Sequence, residues 1–95
     1  MKVVITDAAW TDLLDIFRHV SLQSPTAADR LVDTLHEKCR TLADNALAFP
    51  IVEGYEHVAI RRRVHGNYLI FYRCRDETVE IIHILHGARD YGAVL

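Results

Sequence analysis

The 95-residue chain has room for one compact domain, 1–95, and with 51% hydrophobic and 25% charged residues it has a folded domain's composition, not a disordered segment's. No apolar run approaches the ~18 residues of a transmembrane helix, so no membrane association is expected. A formal net charge of −2 argues against direct sequence-specific nucleic-acid binding, because duplex-binding domains carry a clear positive excess.

In chain order, 2–6 is β-branched around Val3, Val4 and Ile5 and predicts a short buried strand. From Ala8 the period changes: Trp10, Leu13, Leu14, Phe17 and Val20 recur at three and four residues, a helical stripe that places Trp10 and Phe17 in the core, with Thr6 or Asp7 as N-cap. Ser24 then caps a second helix that begins at Pro25, where a missing N–H costs nothing, and Asp29 is expected to favour its positive end. The second stripe is Ala28, Leu31, Leu35, Cys39, Leu42 and Ala46, and the short link folds the two helices into an antiparallel hairpin. Phe49-Pro50 ends helical character, and Gly54 lies in a loop.

Three β-rich runs follow, 58–64, 68–74 and 79–86, separated by His65-Gly66-Asn67 and by Arg75-Asp76-Glu77-Thr78. Turns this short give an antiparallel meander. The expected fold is α+β, in the order β-α-α-β-β-β, with the helical hairpin packed on one face of the sheet. One hairpin covers one face, yet the strands carry apolar residues on both. Val79, Ile81 and Leu85 oppose Ile82 and Ile84, and Ile70 and Tyr72 oppose Leu69 and Phe71. The surplus face is expected to be buried against another chain, unless residues 91–95 fold back over it.

Charge is unevenly distributed: residues 1–56 carry five Lys/Arg against nine Asp/Glu, and residues 57–95 carry six Arg against four acids. Arg61 and Arg63 share one side of a strand and Arg62 the other, so an arginine facing the helices needs an acidic partner or must reach an edge. Basic residues along a strand edge also discourage edge-to-edge aggregation. His83 and His86 are three apart on a strand and face opposite ways. His19, His36, His57 and His65 are scattered, and neither Cys-x-x-Cys nor His-Glu-x-x-His is present, so no metal and no cofactor are expected. Cys39 and Cys74 read as free thiols, and the N-terminus lacks a signal-peptide pattern, which points to the cytoplasm.

The segment Leu85-His86-Gly87-Ala88-Arg89-Asp90, after Val79-Glu80-Ile81-Ile82-His83-Ile84, resembles the ending of ParE toxins in the RelE/ParE superfamily of type II toxin–antitoxin systems. Trp10-x-x-Leu13-Leu14-Asp15-Ile16-Phe17, Ser24-Pro25-x-Ala27-Ala28-Asp29-Arg30-Leu31 and Gly66-Asn67-Tyr68-Leu69-Ile70-Phe71-Tyr72-Arg73 extend the resemblance over nearly the whole chain. It implies one of two activities. ParE-like members inhibit DNA gyrase, whereas RelE-like members cleave mRNA on the ribosome by acid–base and electrostatic chemistry.

The RelE pattern is incomplete here. Leu69 stands where those enzymes carry an arginine after Tyr68, and Ile60 stands near a lysine position. Arg89 matches a second arginine, Arg62 lies near another lysine position, and only Tyr91 is available for a late tyrosine. The resemblance therefore favours a gyrase inhibitor, with no catalytic residue, neutralised by a ParD-like antitoxin through an acidic amphipathic segment. Arg61, Arg63, Arg73, Leu69 and Phe71 are its expected antitoxin-binding residues, and Arg89 with Asp90 is expected to matter for activity. The alternatives are a ribonuclease using Arg62, Arg89, His83, His86 and Tyr91, or a degenerate toxin that retains only antitoxin binding.

Overall fold

The computed structural model describes all 95 residues. Strand β1 (Lys2–Ile5) runs directly into helix α1 (Asp7–Ser21), which is followed by α2 (Pro25–Arg40) and the single turn α3 (Leu42–Asn45). Strands β2 (Arg61–His65), β3 (Tyr68–Arg75) and β4 (Thr78–His86) come next, and the 3₁₀ turn Tyr91–Ala93 ends the chain. The sheet order is β1-β4-β3-β2, antiparallel except that β1 lies parallel to β4. This is the expected α+β order, and its hairpin covers one face.

Local chemistry sets the boundaries. Thr6 caps α1, its hydroxyl accepting from Ala9 N–H at 3.2 Å while donating to Ile81 O at 2.7 Å, so one side chain ties the β1–α1 junction to β4. Ser24 caps α2 by accepting from Ala27 N–H, and Pro25 opens the helix, but Asp29 lies a turn too far in to meet the helix start. The β3–β4 turn places Asp76 and Glu77 at φ 51° and 60°, the paired positive values of a two-residue type I′ hairpin. The continuous second helix expected through Ala46 instead breaks at Thr41, giving α2 and α3.

The main core lies between hairpin and sheet and contains Leu13, Leu35, Cys39, Leu42, Ile70, Tyr72, Val79, Ile81 and Ile84. Tyr72 is fully buried and its hydroxyl donates to Ala46 O at 2.6 Å, which satisfies a carbonyl at the end of α3. The expected α1 stripe is corrected here. Ala9, Leu13 and Ile16 face the sheet, whereas Trp10 stays 49% exposed, Leu14 46% exposed and Phe17 only half-buried. Two apolar stripes share this helix, and small Ala9 takes the sheet side because it permits close approach.

The face assignment on β4 also changes. Tyr72 pairs with Ile81 but Phe71 pairs with His83, so Ile82 is an extra residue, a β-bulge. Past the bulge alternation resumes out of phase: Ile84 joins Val79 and Ile81 under the helices, and Leu85 joins Ile82 on the other face. Because β1 pairs only as far as Ile81, the β4 edge beyond it is open, and Asp12 of α1 fills it. Its Oδ2 accepts from Ile84 N–H at 2.9 Å and meets His83 Nδ1 at 2.8 Å.

Replacing Asp12 with Ala leaves the Ile84 N–H and His83 without partners and is expected to lower stability by about 2–4 kcal/mol, with Asn costing about half as much because it still accepts from Ile84. Urea titration followed by circular dichroism measures both. Burial also pushes the Cys39 thiol up to about 12 from 9.0 and the Tyr72 phenol up to about 12 from 10.0. Both groups hold their protons more tightly folded than unfolded. Their contribution to stability is therefore fully present below pH 9 and is lost as pH rises from 9 to 12. A urea midpoint that stays level across that window contradicts this.

Candidate functional site

The face of the sheet away from the helices holds a second cluster, Val52, Ile60, Leu69, Phe71 and Leu85. The chain covers much of it itself. The 52–60 loop lies along one side, and the C-terminal turn brings Tyr91 against Phe71, ring centroids 5.0 Å apart, with Val94 and Leu95 packed beside them. Fold-back of residues 91–95, rather than another chain, therefore occupies this part of the face. Phe71 is fully buried and Leu69 nearly so, which corrects the expectation that both present open binding surface. The hydrogen bonds within 90–95 stay local, from Gly92, Ala93, Val94 and Leu95 back to Asp90 or Tyr91.

Coverage stops short of β1 and the far end of β3. A groove of about 280 Å³ remains, lined by Thr6, Val58, Ile60, Arg73, Glu80, Ile82 and Leu95. Val4, paired with Glu80, is 38% exposed along one margin, and Val64 is 57% exposed on β2. The register identifies every strand residue on this side. Lys2, Arg62, Arg73 and Arg75 are basic, and Glu80 alone is acidic. Glu80 Oε1 takes Arg73 Nε at 3.1 Å and Arg75 Nε at 3.4 Å, so two guanidiniums share one carboxylate. Arg62 has no ion-pair partner. Apolar floor and surplus guanidinium donors suit an acidic, amphipathic peptide, since arginine's planar fork matches carboxylates.

Arg61 and Arg63 lie elsewhere. They share the helix side, as alternation requires, but their partners are carbonyls rather than acids. Arg61 Nη1 donates to Phe49 O at 2.6 Å, and Arg63 Nη1 donates to Lys38 O at 3.0 Å and Thr41 Oγ1 at 2.8 Å. Lys38 lies in the last turn of α2, where unpaired carbonyls and the helix dipole both favour a cation. The Arg63 guanidinium also lies 4.7 Å above the Phe49 ring. These two residues join β2 to the end of the hairpin and have little left for a partner. Arg73 is the one expected binding arginine on the open side. Arg75, Lys2 and Ile82 were missed, although 73 and 75 are two apart on one strand and so had to share its side.

The ribonuclease candidates divide into two groups. His86 and Arg89 line a cleft of about 220 Å³ with Asp12, Asp15, Ile16, His19, Tyr68, Ile84 and Leu85, between α1 and the end of β4. His83 touches that cleft through Asp12, and the His86 ring meets Tyr68 edge-on at 5.3 Å. Arg62 and Tyr91 are not there; both belong to the opposite face, around Phe71. Asp90 accepts from Gly92 N–H at 3.1 Å and so shapes the C-terminal turn instead of pairing with Arg89. Cys39 and Cys74 are free, and no group of three His, Cys, Asp or Glu side chains is placed to hold a metal. No helix is long and apolar enough to cross a membrane.

A family model for the "ParE toxin of type II toxin-antitoxin system, parDE" matches residues 3–91. Toxin ParE2 of Mycobacterium tuberculosis, from strains CDC 1551 / Oshkosh and ATCC 25618 / H37Rv alike, is 31% identical over 87 residues, covering 87% of this chain and 78% of the relative. Among solved structures, a chain of the chromosomal ParDE TA system from P. aeruginosa superposes with a TM-score of 0.73 at 22% identity, over 90% of this chain and 95% of that one. That likeness bears on the fold, which it matches. The match from β1 to the C-terminal turn shows that this chain belongs to the ParE toxin family of type II toxin–antitoxin systems.

Proposed function

We propose that this toxin acts by binding rather than by cleavage, that its target is DNA gyrase in the cytoplasm, and that a ParD-like antitoxin neutralises it. The observation that carries the neutralisation is the open part of the sheet's second face, where four basic strand residues stand against one acid around an apolar groove. An acidic amphipathic segment lying there gives its carboxylates to Arg62, Arg73 and Arg75 and its apolar side chains to Val4, Ile60 and Ile82. Family membership supports gyrase as the target. Binding is favoured over ribonuclease chemistry because the residues that such a site would use fall on two sides of the sheet, Arg62 and Tyr91 away from His86 and Arg89.

Purified chain added to gyrase is expected to suppress supercoiling of relaxed plasmid, and addition of the cognate antitoxin to restore it. No inhibition at large molar excess, together with codon-phased cuts in primer extension on translated mRNA, would transfer the function to the His86–Arg89 cleft. Soluble chain that neither inhibits gyrase nor slows growth is the outcome for a degenerate toxin. Reversing Arg73 and Arg75 to Glu is expected to weaken antitoxin binding about 10–100-fold and to flatten its salt dependence, measured by calorimetry at two ionic strengths.

A further inference from the structure

The outer face of the helical hairpin carries an apolar surface that neither the core nor the proposed antitoxin site uses. Trp10, Leu14 and Phe17 follow one another along α1 at helical spacing, and with Leu13 and Val32 of α2 they line a wholly apolar groove of about 200 Å³. Trp10 is held in place by stacking on His36, ring centroids 5.7 Å apart at 30°. At 100° per residue, Asp7 and Arg18 both fall on the outward flank of this stripe, close to three whole turns apart. Both are exposed, and neither is in an ion pair.

That pattern is complementary to itself. Laid antiparallel against its own copy, α1 sets Asp7 of each chain beside Arg18 of the other and Trp10 of each beside Phe17 of the other, with the exposed Leu14 near the two-fold axis above the buried Leu13. We infer that this face pairs two copies of the chain through an isologous contact of α1 against α1. An isologous interface requires one patch to be its own complement, and here charge and apolar residues satisfy the same two-fold. Helix α1 is about 22 Å long, and with the adjoining stripe of α2 it can supply the roughly 600 Å² per copy of a small specific interface. The dimer leaves the second face of the sheet open on both copies, so it stands independently of the antitoxin site.

Sedimentation equilibrium of the full chain across the micromolar range tests the pairing, with an expected mass of twice 10.9 kDa. Leu14→Arg is expected to raise the dimer dissociation constant ~100-fold, as loss of a central apolar anchor does. Asp7→Arg and Arg18→Asp singly set like charges against each other and are expected to raise it ~5–10-fold, and the double exchange to return it within ~2-fold. These two positions are exposed and outside the core, so the exchange remains informative if Leu14→Arg fails to fold. A monomer throughout the range overturns the inference, whether or not an antitoxin covers Leu14. So does a dimer indifferent to Leu14→Arg, or one that the double exchange does not restore.

Discussion

A four-stranded sheet with apolar residues on both faces and a single helical hairpin to cover it is the constraint from which the other features follow. The hairpin seals one face around Leu35, Ile70, Tyr72 and Ile81. The opposite face has to be sealed from loops, and it is: the 52–60 segment and the C-terminal turn converge on Phe71. Burial at this turn rests on apolar contact, because its hydrogen bonds are internal to 90–95. Covering material ends before the sheet does, and the uncovered remainder is where basic residues concentrate. An apolar surface with a positive rim is well suited to an acidic, amphipathic partner.

The two sides of the molecule thus have different chemistry from one source, strand alternation. Arg61 turns toward the Phe49 carbonyl in the bend after α3 and Arg63 toward the Lys38 carbonyl in the last turn of α2, fastening β2 to the hairpin end, while Arg62 turns outward to the side of Arg73 and Arg75. A run of three consecutive arginines is in this way divided between the two faces of the sheet, two of them tied to the hairpin end and one without an ion-pair partner. The bulge at Ile82 has a comparable effect on β4. It moves Ile84 under the helices and Leu85 to the other face, and it leaves an open edge that Asp12 fills.

Much of this was legible in the sequence because the signals were local. Ser24-Pro25 marks a helix start by capping chemistry, and Gly66 marks a turn by its freedom at positive φ, here 56°. Two-sided strands announced a surplus face. What could not be read depends on register between distant segments. Nothing local tells that Ile82 is an extra residue, since a bulge is defined by its partner strand. Nor does the spacing of Trp10, Leu14 and Phe17 differ from that of a core stripe. Ala9, Leu13 and Ile16 have the same period, and the sheet selects between the two. The helix-side direction of Arg61 and Arg63 likewise required knowing that β2 passes the end of α2.

The central claim is that the uncovered part of the second face, and not the helical hairpin, receives the acidic segment of the antitoxin. Methyl-resolved NMR of the chain titrated with its antitoxin reads this directly, because the two surfaces carry different methyl groups. Shifts concentrated at Val4, Val58, Ile60, Ile82 and Leu95, with Leu14 and Val32 unmoved, are the result this account predicts. Shifts confined to Leu14, Val32 and their neighbours on the hairpin, with Ile60 and Ile82 silent, would contradict it.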